Sequence, residues 1–163
     1  MTLTEPNMNK SIKKVAVLGS GVMGSRIACH FANIGVEVLL LDIVPKEPNA
    51  KEVAKGLTTD HQAVRNRIVN EALQFALKSN PSPIYNKSFA NRISTGNFTD
   101  DMPKIAEVDW IIEVVVENLD VKKIIYDQVE QFRTEGTLVS SNTSGIPIQF
   151  MAQGRSEDFN NHF

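Results

Sequence analysis

Cysteine occurs once in the 163 residues, as Cys29. One cysteine closes no internal disulfide and builds no zinc cluster, and it fits a reducing cytoplasm. Histidine occurs three times, as His30, His61 and His162, none with a partner at metal-ligand spacing, so no metal site is expected. No apolar run reaches the roughly 18 residues that a membrane helix needs. The stretch 1–10 is polar and has no apolar signal core. An excess of charge is missing too. The formal net charge is -2, which argues against a nucleic-acid or anionic-membrane partner. Repeats and low-complexity tracts are absent.

What is present reads as one soluble globular domain. We expect a disordered tail over 1–12 and a domain over 13–163. The run 15–18 (Val-Ala-Val-Leu) suits a strand buried on both faces, and 36–41 suits a second one. Between them Ile27, Ala28 and Phe31 recur at helical spacing, with Gly35 as the C-cap. Residues 51–78 read as a long polar helix or a helical hairpin with a thin apolar stripe. Further on, strands are expected over 92–95, 110–116 and 137–139. Helices are expected over 100–106, with Thr99 as N-cap, over 119–132, and from Pro147 onward. Strands alternating with helices predict an α/β, Rossmann-type doubly wound, mainly parallel sheet with helices on both faces. Right-handed crossovers bring every strand's C-terminal end to one edge, where ligands bind.

That edge carries the first motif. Gly19-Ser20-Gly21-Val22-Met23-Gly24 matches G-x-G-x-x-G directly after a strand and at the start of a helix. Gly19 permits a tight turn, Gly21 lets the backbone approach a pyrophosphate, and Gly24 lets the helix pack closely. The helix start at Val22 and Met23 then offers N–H groups and a positive dipole end to phosphate. Asp42, eighteen residues after Gly24 at the end of the second strand, is placed to accept both ribose hydroxyls. Its charge also repels a 2′-phosphate, so NAD is the expected cofactor rather than NADP.

Two later segments point to a family. Val116-Glu117-Asn118-Leu119-Asp120-Val121-Lys122 resembles the V-E-N-x-x-V-K segment of 3-hydroxyacyl-CoA dehydrogenases, and Ser141-Asn142-Thr143-Ser144 resembles their S-N-T-S segment. With the phosphate loop, the resemblance covers residues 13 to 163. It implies that Met23 and Asp42 contact the adenosine and pyrophosphate side of NAD. It implies that Val115, Val116, Glu117 and Lys122 lie toward the nicotinamide end. Ser144 would sit where nicotinamide meets substrate and hydrogen-bond the substrate oxygen, on a loop that Asn142 helps to shape.

The implied reaction is oxidation of a 3-hydroxyacyl-CoA to a 3-oxoacyl-CoA in fatty-acid β-oxidation, in a monofunctional or multifunctional parent. The family's general base is a histidine in an H-F-F-N-P segment. Phe163 matches a phenylalanine that precedes that segment, so His162 is not read as the base. We therefore expect NAD binding without turnover by this chain alone, and a monomeric or weakly self-associating state. A free-standing NAD-binding regulatory module and a different hydroxyacid dehydrogenase remain as alternatives. Glu113, an acid inside an apolar strand, must be paired or near an edge and receives no function.

Overall fold

The computed structural model describes residues 11–163, so residues 1–10 of the expected tail lie outside the described residues. Five strands form one parallel sheet: β1 (Lys14–Leu18), β2 (Glu37–Asp42), β3 (Ile93–Asn97), β4 (Trp110–Glu113) and β5 (Leu138–Ser141). Their order is β3-β2-β1-β4-β5. The order reverses at β1, whose register sets Leu18 between Leu41 of β2 and Glu113 of β4. A crevice opens at such a reversal, beyond the strands' C-terminal ends.

Alternation along β1 divides the core, because successive side chains point to opposite faces. Val15 and Val17 join Val38 and Leu40 under α1 (Val22–Asn33) and α4 (Arg67–Lys78). Ala16 and Leu18 join Leu39, Leu41 and Ile111 under α5 (Leu119–Phe132). On that second face, α6 (Ile148–Ala152) contributes Met151 and α7 (Glu157–His162) contributes Phe159. The doubly wound, Rossmann-type expectation therefore holds.

Several boundaries differ from expectation. Residues 51–78 are neither a continuous helix nor a simple hairpin. They form α2 (Ala50–Ala54), α3 (Gln62–Arg65) and α4. A capping box between Asn49 and Glu52 starts α2, and Gly56 at φ 71° helps turn the chain out of it. Thr99 caps nothing; its N–H goes to Asn97 Oδ1, and the turn that follows is a 3-10 helix over Met102–Glu107. The strand expected to reach Val116 stops at Glu113, whose own carboxylate takes the Val115 N–H at 2.7 Å. That bond turns Val115 and Val116 out of the ladder and toward the crevice.

Candidate functional site: the carboxyl edge of the sheet

The phosphate loop connects β1 to α1, and its three glycines do different work. Gly19 has φ 109°, and a Cβ there would stand 2.7 Å from the Val114 carbonyl oxygen. A Cβ on Gly24 would stand 1.8 Å from the Gly19 carbonyl oxygen. Those two positions are closed by backbone. Around Gly21 nothing lies within 4 Å of where a Cβ would be, so the bare loop faces open space. Gly21 is also the N-cap of α1, without a side-chain cap and without an acid in the first turn. The positive end of the helix is thus left to a ligand.

Asp42 is tied to this loop. Its Oδ2 accepts the Ser20 N–H at 2.6 Å and the Ser20 hydroxyl at 2.5 Å, and its Oδ1 accepts the Ile43 N–H at 2.7 Å. Ser20 was not singled out in the sequence, where it is the variable position between two glycines. Here it locks the acid of β2 to the turn of β1. A groove of about 450 Å³ runs past Gly19, Gly21 and Asp42, with Ile43, Phe98 and Val115 as apolar walls. A second cleft of about 310 Å³ continues past Val22, Met23, Val116, Glu117 and Asn142. Val22 and Val116 are 69% and 66% exposed on its walls. The two together suit an extended dinucleotide: a base and ribose beside Asp42, pyrophosphate over Gly21, and the second ribose and base toward β4 and β5.

At that far end the sequence-predicted residues divide. Glu117 and Ser144 come together. The Glu117 carboxylate accepts the Thr143 hydroxyl, the Gly145 N–H at 2.9 Å and the Ser144 N–H at 3.3 Å. The Thr143 hydroxyl and the Gly145 N–H, helped by Lys122, hold its carboxyl at about 2, well below the usual 4.5. Lys122 does not line the groove as expected. Its side chain is wholly buried, with its ammonium 2.8 Å from Glu113 and 3.6 Å from Glu117. The reason is its place in the first turns of α5, directly over the end of β4.

Below the surface sits a cluster that the sequence marked only as an anomaly. Glu113 and Tyr126 are both fully buried. The Glu113 carboxylate accepts from Lys122, from the Tyr126 hydroxyl at 2.9 Å and from the Ser141 hydroxyl at 2.5 Å. Burial and the neighbouring carboxylate push the Tyr126 phenol well above its usual range, so it stays a donor. The available signal was Glu113 in an apolar strand with a lysine nine residues on, too loose a pattern to pair without the fold. His162 and His30 stand apart from this edge. The His162 ring lies beside Gly136, at the entrance of β5, with Nδ1 2.7 Å from the Asp158 carbonyl oxygen. His61 caps α3, and His30 lies on the helix face beside Phe31 and Trp110. Among the described residues no group of His, Cys, Asp and Glu is arranged to hold a metal.

A parallel sheet with this loop, this open helix start and an acid at the end of β2 defines a dinucleotide-binding domain of the Rossmann type. The model of the family "3-hydroxyacyl-CoA dehydrogenase, NAD binding domain" matches residues 14–163. The chain belongs to that family, and NAD is its cofactor. A Bacillus subtilis protein named "Probable 3-hydroxyacyl-CoA dehydrogenase" is 55% identical over 156 residues, 96% of this chain and 20% of that protein. A Rickettsia felis protein bearing the name of a fatty acid oxidation complex trifunctional enzyme is 33% identical over 96% of this chain and 20% of its own length. The (S)-3-hydroxybutyryl-CoA dehydrogenase of Ralstonia eutropha shares the fold at a TM-score of 0.60 and 27% identity, over 91% of this chain and 47% of that one. The chain thus spans about a fifth of each of the two curated relatives.

Proposed function

We propose that this domain holds NAD along the carboxyl edge of the sheet for the oxidation of a 3-hydroxyacyl-CoA to a 3-oxoacyl-CoA, with the 163 residues supplying the cofactor half of the site. The observation that carries the reading is the Glu117 carboxylate drawing in the Ser144 loop at the end of the groove opposite Asp42. Bound NAD supplies the hydride acceptor. The helix start at Val22–Gly24 holds the pyrophosphate, and Asp42 takes the adenosine ribose hydroxyls. Val115 and Val116 wall the nicotinamide end against water. Ser144, exposed on its loop, donates to the substrate oxygen. The general base, a histidine in the family's pattern, comes in this reading from outside the described residues; His162 lies at the entrance of β5 and His30 beside Phe31 and Trp110, both away from this end.

The setting we propose is cytoplasmic fatty-acid β-oxidation, supported by the single buried Cys29 and by the names of the relatives. Among the described residues no helix is long and apolar enough to cross a membrane. We further propose that the domain spans 13–163 and is monomeric or weakly self-associating, because the edge of β5 carries no further strand among the described residues. The test is NADH-dependent reduction of acetoacetyl-CoA by the whole protein that carries this chain. Ser144→Ala is expected to lower kcat/KM by about 10- to 150-fold, the loss of a hydrogen bond to a charge-developing oxygen. A whole protein inert toward acyl-CoA substrates while binding NAD would overturn the assignment.

A further inference from the structure

We infer that Glu113 is the positioning residue of the nicotinamide end: a buried carboxylate that fixes the two strand-end loops against each other through Lys122 and Ser141. The inference rests on reading the Ser144 loop as that end of the groove. Glu113 is fully buried at the last position of β4 and stands opposite Ser141 in the register of β5. One oxygen accepts the Val115 N–H at 2.7 Å and the Lys122 ammonium at 2.8 Å. The other accepts Lys122 at 2.9 Å, Tyr126 at 2.9 Å and Ser141 at 2.5 Å. A single carboxylate thereby joins the exit of β4, the first turns of α5 and the last residue of β5.

Lys122 extends the connection upward. Its ammonium is shared with Glu117 at 3.6 Å, and Glu117 in turn collects Thr143, Ser144 and Gly145. Two carboxylates, one buried and one half-exposed, hold a single wholly buried cation between them. Core filling would be served as well by an apolar residue at position 113, since a buried ion pair is no better for stability than well-packed hydrophobic side chains. What a carboxylate adds is direction. It bends Val115 out of the strand and balances Lys122 against the pull of Glu117. Without the charge on Glu113, Lys122 has only Glu117 as its counter-ion. Glu117 is then drawn inward, away from the Ser144 loop.

The experiment has a ligand-free arm and a ligand arm. In the first, amide exchange of residues 143–145 is compared in the wild type, Glu113→Gln, Glu117→Gln and the double variant. Each single variant is expected to speed exchange of Ser144 and Gly145 about tenfold with β1 and β2 unchanged, and the double variant to add less than about twofold more, as coupled sites do. Unchanged loop exchange in Glu113→Gln, or fully additive effects, overturns the inference. Should Glu113→Gln fold poorly, Ser141→Ala and Tyr126→Phe each remove one donor from the same carboxylate, and a smaller loop-confined acceleration, about threefold, is expected. The second arm titrates NAD and ADP-ribose. Glu113→Gln should weaken NAD about tenfold and ADP-ribose less than twofold, because ADP-ribose lacks the nicotinamide. Equal losses for both ligands overturn the positioning role. A loop response in the first arm together with a wild type that binds NAD no better than ADP-ribose overturns instead the reading of this end as the nicotinamide site.

Discussion

Alanine at Gly21 and alanine at Gly24 should fail in opposite ways, although the two lie three residues apart in one loop. At Gly24 the new Cβ would be 1.8 Å from the Gly19 carbonyl oxygen, where about 3.0 Å is the closest real approach. The start of α1 and the end of β1 must therefore separate by about 1.2 Å, from 3.0 minus 1.8. Strain of that kind costs about 1–3 kcal/mol, a fall of about 2–12 °C in Tm for a domain this size. At Gly21 the Cβ meets nothing within 4 Å, and φ -53° with ψ -175° suits any residue. Removing a glycine there restricts the unfolded chain and stabilises by about 0.4–1 kcal/mol, so Tm should hold or rise by about 1–4 °C. The same methyl occupies the space through which the pyrophosphate reaches the backbone. Losing hydrogen bonds to a charged group costs about 1.5–3 kcal/mol, or about 10- to 150-fold in NAD affinity. Differential scanning calorimetry and NAD titration of both variants give the check. A Gly21→Ala variant that melts as early as Gly24→Ala, or that binds NAD within twofold of the wild type, would refute the open loop at Gly21.

Three further outcomes are expected. Asp42→Ala should weaken NAD by about 1–3 kcal/mol, the cost of unpaired ribose hydroxyls and of a freed Ser20, and narrow the preference over NADP; a wild type that binds NADP as tightly as NAD by calorimetry would contradict it. Glu117, held at about 2 against an ordinary 4.5, is a depressed acid, so its grip on the Ser144 loop is complete above about pH 4.5 and is lost as pH falls toward 2. Loop resonances of Gly145 followed by NMR should move in that window, and a midpoint above 4.5 would refute it. The 163-residue chain alone should bind NAD yet show no reduction of acetoacetyl-CoA, with His162→Ala leaving NAD affinity unchanged; turnover abolished by that substitution would put the base on His162 after all.

Much of the nucleotide half was legible in the sequence because its signals are local. The apolar run at Val15–Leu18, the glycine spacing at Gly19–Gly24 and the acid closing β2 each depend on neighbours within one strand-loop-helix unit. Their physical reasons, φ at Gly19 and closeness at Gly24, hold for any chain folded that way. The same locality explains why α5 is found over the residues expected, Leu119–Phe132, with Asn118 as its cap. The break-up of 51–78 was less legible, since a glycine at φ 71° and a new cap at His61 interrupt a stripe that reads as one helix or a hairpin.

The end of the groove at β4 and β5 was decided by tertiary structure. Lys122 reads as a groove lysine until α5 is laid on β4 and its ammonium is found in the core beside Glu113. His162 is set aside in the sequence by the match of Phe163, and α7 places its ring at the entrance of β5, the end of the sheet away from the Ser144 loop. Periodicity and motif fix which face and which edge a residue occupies. Whether a charged side chain there turns to the ligand or to a buried partner depends on contacts between segments far apart in the chain, and those exist only once the sheet has closed.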